Sequence, residues 1–284
     1  MKVIDLSPFD FKEVERWDEM WKKTRKPPSE AMIQTWNVRA QSFAGNVLGQ
    51  SGRQRTGKVM NWFDQLGVNL DGAAVLDIGA GPGAFAIPFA QRKAKVTALE
   101  PSSAMCELML QHASKQDVEI DVISAVWEDF DIEQNHWVQA YDLVFASMCP
   151  AISCWDYVEK ALRCSRKYAF FSTFAGKREH NLISELWPVL VGGQQPPMRL
   201  DIQYLLNLLY LHQYTFEFRV FEESLDDQMT PERAIDYVMQ LLPAFQVPVQ
   251  VDTREKITHF LADRYPNAVP VHTATRFGQI LVSL

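Results

Sequence analysis

Cysteine is scarce in this sequence, and its four residues do not follow the spacing of a metal site or of a redox motif. The 284 residues contain no Cys-x-x-Cys pair, and no histidine lies near a cysteine at the separation typical of metal ligands. A disulfide-rich scaffold and a zinc ribbon are therefore excluded. We expect free thiols in a reducing cytoplasm and no metal site. The four residues are Cys106, Cys149, Cys154 and Cys164.

Long apolar runs are also missing. No uninterrupted apolar stretch reaches the length that a bilayer-spanning helix needs. The first residues include Asp5, Asp10, Glu13 and Glu15, which is the wrong chemistry for a secretory or transit peptide. We therefore expect a cytoplasmic protein without a membrane partner.

An excess of positive charge is the third absence. Lysine and arginine number 28 against 35 acidic residues, which gives a formal net charge of −7. Proteins that bind nucleic acids neutralise phosphates with clustered basic residues. The one short cluster, Lys22 to Lys26, precedes two prolines and is typical of a solvated helix end. We expect no nucleic-acid partner.

What is present is a globular composition with two patterns along the chain. Hydrophobic residues make up 47% of the sequence. The first seventy residues have helical periodicity, with helices predicted over Phe11–Lys23, from the N-cap Ser29 onward, and over Arg55–Leu66. From residue 73, short apolar strands alternate with helices, which indicates parallel strands joined by crossovers.

The predicted fold class is α/β, a doubly wound, mostly parallel seven-stranded sheet with helices on both faces. The first five strands are expected over Ala74–Ile78, Lys95–Leu99, Glu119–Ile123, Asp142–Ser147 and Tyr168–Thr173. The helices between them are expected near Gly83–Arg92, Ser102–Lys115 and Asp156–Cys164.

Beyond residue 175 the alternation breaks. The pattern predicts a short helix near Leu182–Val191, a helix from Asp201, and strands over Phe216–Phe221 and Thr273–Leu284. Two further helices begin at Thr230, followed by Pro231, and at Asp252, where Glu255 completes the spacing of a capping box. We predict an N-terminal helical extension over 1–70 and a core over 71–284 with a helical insertion at about 230–265.

The segment most informative about function is a glycine turn between the first strand and the helix after it. Residues 75–85 read VLDIGAGPGAF, with glycines at positions 79, 81 and 83. Without a Cβ, Gly79, Gly81 and Gly83 let a ligand approach the main chain. The carboxyl ends of the strands are where open α/β sheets bind ligands.

Two acidic residues extend this turn into a nucleoside site. Glu100 ends the second strand, where a carboxylate can accept hydrogen bonds from both ribose hydroxyls. Asp77 precedes the first glycine by two residues, where it can meet a positively charged amino group and would repel a pyrophosphate. The pattern Gly79-x-Gly81-x-x-Ala84 nevertheless also satisfies a loose dinucleotide fingerprint, so a nicotinamide-dependent oxidoreductase stays open.

Residues 75–83 resemble the first motif of the class I S-adenosylmethionine-dependent methyltransferases, which are Rossmann-like. The resemblance implies S-adenosylmethionine as cofactor and S-adenosylhomocysteine as product. It also implies that the turn contacts the methionine part and that the acid after the second strand holds the ribose. The residues given these roles are Asp77, Gly79, Ala80, Gly81, Gly83 and Glu100.

Weaker resemblances continue down the chain. Residues 100–105 resemble the family's segment that packs on the adenine, which assigns Pro101 and Met105 to the cofactor site. Trp127 and Glu128 resemble the segment near the adenine edge, although Val126 occupies the usual aspartate position. The fourth strand ends at Ser147, by the reactive end of the cofactor.

The acceptor is predicted to be a small molecule. The Asn- or Asp-Pro-Pro sequence of enzymes that act on amides and bases is absent after the fourth strand, where residues 147–151 read SMCPA. A non-catalytic cofactor-binding subunit is a further alternative, and a homodimer is left open.

No catalytic residue is assigned from the sequence. His180 is the first candidate base, against a solvated loop histidine, and Cys149 is a candidate near the methyl group, against a packing role. Tyr204 and Tyr210 are expected to pack in the core or the lid. The N-terminal helices and the insertion are expected to close over the acceptor, or alternatively to thicken the core or form a dimer face.

Overall fold

A computed structural model describes residues 11–24, 29–176, 179–193, 201–245 and 247–284. These residues group into two compact units. The first is drawn from residues 1–173, 202–219 and 279–284, and the second from residues 174–201 and 220–278. The expected division at residue 70 stays a prediction. The two prolines that follow the basic cluster, Pro27 and Pro28, lie outside the described residues.

Three helices precede the sheet in the first unit. They are α1 (Phe11–Thr24), α2 (Glu30–Val47) and α3 (Gln50–Gln65). The N-cap prediction at Ser29 is confirmed, because its side chain accepts a hydrogen bond from the N–H of Met32 at 3.3 Å. Helix α3 begins five residues before its predicted start, directly after Gly49.

The doubly wound, mostly parallel sheet is confirmed. Its eight strands in the described residues are β1 (Ala74–Ile78), β2 (Lys95–Leu99), β3 (Asp121–Ile123), β4 (Tyr141–Ser147), β5 (Ser165–Phe174), β6 (Glu179–His180), β7 (Thr215–Met229) and β8 (Val269–Ser283). The prediction of seven strands lacked β6, which is too short to show alternation.

Strand order explains where a ligand can bind. The order is β3-β2-β1-β4-β5-β8-β6, with β7 also paired to β8. Strands β3, β2, β1, β4 and β5 are mutually parallel, with Val75 in register with both Val96 and Leu143. The chain moves outward in one direction from β1 to β3 and returns to the other side of β1 as β4. The carboxyl ends of β1 and β4 therefore form the topological switch point.

The last strand runs against its neighbours. The N–H of Leu284 donates to the carbonyl of Lys167, and the N–H of Ala175 donates to that of Arg276, so β8 is antiparallel to β5. In the first unit, the Nε of Arg219 on β7 donates to the Oε1 of Gln279 on β8 at 2.7 Å. Strand β6 pairs antiparallel with β8 in the second unit.

Helices cover both faces of the parallel strands, as buried parallel sheets require. Those that contact the parallel strands include α4 (Ala86–Gln91), α5 (Ser103–Lys115) and α6 (Trp155–Cys164). Helix α8 (Asp201–Leu211) packs through Tyr204 on Trp21 of α1. One core contains Phe63 of α3, Phe89 of α4, Phe145 of β4 and Phe170 of β5, all essentially inaccessible. The rings of Phe145 and Phe170 stack with centroids 4.5 Å apart.

Helix α4 is shorter than predicted, and the glycine turn explains why. The predicted helix began at Gly83, but residues 81–85 form turns and the helix starts at Ala86. Gly81 and Gly83 have φ angles of +56° and +87°, which a right-handed helix cannot contain. The first residues of the predicted helix, 83–85, therefore belong to the turn.

The second unit has its own core among α7 (Asn181–Leu190), α9 (Pro231–Leu241) and α10 (Thr253–Arg264), with a 3-10 turn at Leu242–Phe245. Thr230 caps α9 as predicted, accepting from the N–H of Arg233. The capping box at Asp252 is wrong. Asp252 precedes α10 in a helical backbone conformation without a capping bond, and its carboxylate pairs with Lys256 at 2.8 Å.

Candidate functional site

The glycine turn is fastened to the neighbouring strand by its main chain. The N–H groups of Gly79 and Ala80 both donate to the carbonyl of Leu99 at the end of β2, at 2.8 and 3.3 Å. Gly79 has a φ of +71°, and a Cβ there would lie 2.6 Å from the Sγ of Cys149. A side chain at this position is excluded both by backbone strain and by contact.

The other two glycines differ in what surrounds them. A Cβ on Gly83 would lie 2.9 Å from the Cγ of Met109, so this glycine lets the turn pack on α5. A Cβ on Gly81 would meet only the Phe43 ring, at 3.7 Å. The main chain at Gly81 is thus the part of the turn open to a ligand.

Glu100 is buried and organised by main-chain donors. It is 7% exposed, its Oε2 accepts from the N–H of Gly81, and its Oε1 accepts from the N–H of Ser102, both at 2.9 Å. Each carboxylate oxygen keeps a further lone pair for another donor. The sequence prediction that the acid and the glycine turn form one site is thus matched by a direct hydrogen bond between them.

Asp77 is buried more deeply, at 3% exposure, below the same turn. It accepts a hydrogen bond from the N–H of Ala86, whereas its Oδ2 is buried and has no hydrogen-bond partner within the described residues. Buried polar atoms are nearly always hydrogen-bonded, because an unmade bond costs free energy. The described chain provides no hydrogen-bond partner for this oxygen, so a donor group of a bound ligand could satisfy it.

Burial raises the pKa of both carboxylates, and the charge of Glu100 acts further on Asp77. Loss of hydration, followed by the nearby charge of Glu100, raises the pKa of Asp77 to about 8. Burial also raises the pKa of Glu100, although the N–H groups of Ser102 and Gly81 oppose the shift. Two carboxylates in one buried site favour a ligand that carries a positive charge and several hydrogen-bond donors.

Helix α2 lies against this site. The Oδ1 of Asn37 accepts from the hydroxyl of Ser102 at 2.7 Å and from the N–H of Ala104 at 3.3 Å. Ala40 and Ala44 of α2 pack on Met105 and Leu108 of α5. The sequence indicated a helix here but not Asn37, because a single asparagine in an amphipathic helix has no distinguishing pattern.

Two predicted residues follow Glu100 directly. Pro101 is partly exposed beside the acid, whereas Met105 is 2% exposed in the α2–α5 contact. Ser102 between them caps α5 by accepting from the N–H of Met105. Met105 therefore packs under the site.

The loop after β3 holds the next two predicted residues. Trp127 is buried and its indole N–H donates to the carbonyl of Tyr157 on α6. Glu128 is partly buried, and its Oε1 has no hydrogen-bond partner in the described chain. Burial raises the pKa of Glu128. A second buried acceptor thus follows the strand that neighbours β2.

The end of β4 supplies hydroxyl groups. The Oγ of Ser147 lies 2.8 Å from the Oγ of Ser172 on β5, its register partner. Met148 follows with a φ of +54°, and its N–H donates to the carbonyl of Ser172. This turn brings Cys149, which is buried, against Gly79. Cys149 therefore packs against the glycine turn, as the alternative prediction for this residue states.

The remaining candidate residues have structural roles or are exposed. His180 is not solvated: it is buried in the second unit and caps α7, its Nδ1 accepting from the N–H of Ile183. Tyr204 stacks on Trp21 as a core residue, but Tyr210 is 75% exposed, so the packing expected for it is wrong. No group of metal-ligating side chains occurs within the described ranges.

The thiol prediction is confirmed, because all four cysteines are buried thiols outside any disulfide. No helix in the described part of the chain combines the length and the apolar character needed to cross a bilayer.

A glycine turn at a topological switch point, with a buried acid at the end of the adjacent strand, is the arrangement expected of a nucleoside-binding site in a Rossmann-like fold. Residues 75–168 match a family described as a methyltransferase domain. Over these residues the chain is therefore similar to methyltransferase domains.

Solved structures share the fold. Magnesium protoporphyrin IX methyltransferase from Synechocystis, solved with bound S-adenosylhomocysteine, has a TM-score of 0.52 and 13% identity, covering 88% of this chain and 97% of that one. A putative methyltransferase from Bacillus halodurans has a TM-score of 0.51 and 12% identity, covering 80% and 97%. At these identities the likeness concerns the fold.

A curated relative is nearer in sequence. An uncharacterized protein of Haemophilus influenzae is 30% identical over 180 residues, which cover 62% of this chain. The match spans 61% of the length of that relative.

Proposed function

We propose that the protein binds S-adenosylmethionine and transfers its methyl group to a small-molecule acceptor. The observation that carries the proposal is the buried Oδ2 of Asp77, which lacks a partner among the described residues beside a bare glycine turn. The cationic amino group of the cofactor supplies the missing donor and charge. The methyltransferase-domain match over residues 75–168 supports the same assignment.

The residues fit the parts of this cofactor in order. Asp77 and the turn at Gly81 would hold the amino acid part, and Glu100 would accept from the ribose hydroxyls. Glu128, on the loop after the next strand, offers an acceptor to the amino group of the base. A pyrophosphate in place of the methionine part would face two buried carboxylates, which disfavours a dinucleotide.

The bound cofactor supplies an electrophilic methyl group on a sulfonium with a good leaving group. The protein's contribution is then to hold donor and acceptor in line and to exclude water. Helix α2 and the turn at Met148 limit access to the glycine turn from two sides. No side chain is assigned as a base, because the candidate His180 is buried and its Nδ1 caps helix α7.

Calorimetry with S-adenosylhomocysteine, S-adenosylmethionine, NAD and NADP tests the cofactor. We expect binding of the first two compounds and none of the nucleotides. In Glu100→Ala the loss of charge-assisted hydrogen bonds should weaken binding by roughly 1.5–3 kcal/mol. Glu107→Ala, on the exposed side of α5, is the matched control and should bind normally. Binding of NAD alone would replace the proposal with an oxidoreductase.

The acceptor class is tested by following the methyl group. The protein is incubated with radiolabelled S-adenosylmethionine and a cell extract, which is then separated into small molecules, protein and nucleic acid. We expect label in the small-molecule fraction. Label confined to protein or nucleic acid would contradict the acceptor assignment, and binding of cofactor without any transfer would favour a non-catalytic subunit.

A further inference from the structure

A lysine of helix α6 holds the loop that follows β3. The Nζ of Lys160 donates to the carbonyl of Trp127, to that of Phe130 at 2.8 Å and to that of Glu128 at 3.3 Å. It also lies 4.5 Å from the centre of the Trp127 ring. A lysine ammonium has three donors, and this one directs all three to one short stretch of main chain.

The same face of α6 makes a second contact with the loop. The carbonyl of Tyr157, three residues before Lys160, accepts from the indole N–H of Trp127 at 3.3 Å. Residues three apart lie on one side of a helix. Trp127 is 1% exposed, so its buried side chain fixes the loop against α6. The conformation of residues 127–130 therefore depends on α6, which lies far along the chain.

The position of this loop relates it to the base of a bound nucleoside. The N–H of Glu100 donates to the carbonyl of Ile123, so the ends of β2 and β3 lie side by side. With the ribose on Glu100 and the amino acid part at the glycine turn on the β1 side, the base extends toward β3. The loop after β3 carries the Oε1 of Glu128, which is buried and has no hydrogen-bond partner within the described residues.

We propose that Lys160 is a positioning residue that sets the loop 127–130 for recognition of adenine. The inference rests on the proposed function and goes beyond it, because it names what selects the base. Lys160 has no donor left for the ligand and acts only through the loop. Its ammonium fixes three carbonyls of the loop. This holds in place the segment that carries the Glu128 carboxylate, which would accept from the amino group of adenine.

The test compares two ligands that differ only at this edge. In S-inosylhomocysteine the amino group of adenine is replaced by a carbonyl, and the adjacent ring nitrogen becomes a donor. Calorimetry measures the affinity of both compounds for the wild type, for Lys160→Met and for Lys115→Met, a control at the exposed end of α5. We expect the wild type and the control to prefer S-adenosylhomocysteine by roughly tenfold or more, as the loss of one good hydrogen bond implies.

In Lys160→Met we expect this preference to shrink to less than about threefold. A purely structural role would lower the thermal stability and leave the ratio of the two affinities unchanged. Lys160→Gln, which keeps one donor group, serves if the methionine variant does not fold. An unchanged ratio in the variant, or equal binding of both compounds by the wild type, overturns the inference. Failure of the wild type to bind S-adenosylhomocysteine overturns the proposed function instead.

Discussion

Asp77 makes the stability of the ligand-free protein depend on pH. The pKa of its buried carboxyl is raised to about 8, whereas an aspartate in the unfolded chain titrates near 4. Between these values the folded state binds a proton that the unfolded state has lost. The stabilising contribution is therefore complete below about pH 4 and is lost as the pH rises to about 8.

Asp77→Asn removes this dependence. We expect the free energy of unfolding of the wild type to fall by at least about 1.4 kcal/mol more than that of the variant between pH 5 and pH 8. Urea unfolding at both pH values measures the difference. Asp71→Asn, an exposed substitution nearby, should behave as the wild type. Parallel pH profiles of wild type and Asp77→Asn would show that this carboxyl is ionised in the folded state at neutral pH.

Substitutions at Gly79 and Gly72 distinguish the cost of backbone strain from the cost of a steric clash. Both have a φ of +71°, but a Cβ would meet the Cys149 Sγ at 2.6 Å from Gly79 and nothing within 4 Å from Gly72. Gly72→Ala should cost about 1 kcal/mol from backbone strain. Gly79→Ala should cost about 2–4 kcal/mol, because overpacking adds to strain.

A double-mutant cycle identifies the collision partner. In a Cys149→Ala background we expect Gly79→Ala to cost about 1–2 kcal/mol less than in the wild type, as thermal or urea unfolding will measure. If the two substitutions prove additive, the contact with Cys149 does not limit the turn.

At the scale of elements, a side chain of helix α1 caps the first turn of helix α6. The N-cap residue of α6, Cys154, makes no side-chain capping bond. The Oδ1 of Asp18 on α1 accepts instead from the N–H of Trp155 at 2.8 Å. Lys22 bridges Asp18 at 2.6 Å and Asp156 at 3.1 Å. Helix α6, which carries Lys160, thus has its first turn satisfied by a residue distant in sequence.

Removal of this cap is predicted to be destabilising. Asp18→Ala should lower the free energy of unfolding by about 1–2 kcal/mol, and Asp18→Asn, which retains an acceptor, by less. Thermal unfolding is the measurement. Glu19→Ala, the adjacent and exposed substitution, is the control and should change stability by less than about 0.5 kcal/mol. Equal effects of the two alanine variants would refute the capping role.

The sequence predicted elements and motifs that depend on neighbours in the chain. The strands ending at Ile78 and Leu99 were predicted at their observed bounds, because apolar runs between turn signals define them. The two-residue β6 has no such signal. The capping box at Asp252 failed because Lys256 competes for the carboxylate. Asn37 and Lys160 were missed because their partners lie far away in sequence.

At the scale of the whole molecule, two separate cores support the two compact units. The core around Phe63 contains strands of the sheet, and the core around Leu186, Val238 and Leu261 contains helices α7, α9 and α10. The predicted insertion therefore supplies seven of the fourteen buried residues of the second core. That the insertion closes over an acceptor stays a prediction. Sequence periodicity alone could not decide between closure over an acceptor and packing in a core, because both require helices with one apolar face.

Charge bears on the choice between small and nucleic-acid acceptors. The net charge is −7, and the described half of the only basic cluster is paired, with Lys22 bound by two aspartates and Lys23 lying 3.9 Å from Glu19. Nonspecific binding of nucleic acids requires basic side chains that are available to phosphates and release counterions.

We therefore expect no binding of transfer RNA or duplex DNA tighter than a Kd of about 10 μM, even at 50 mM salt, where such attraction is strong. Fluorescence anisotropy with labelled nucleic acids measures this. A complex that forms at 50 mM salt and weakens steeply toward 200 mM would reveal a phosphate-binding surface and contradict the small-molecule assignment. Since salt screens phosphate contacts far more than the buried site around Asp77, S-adenosylhomocysteine binding should change little over the same range.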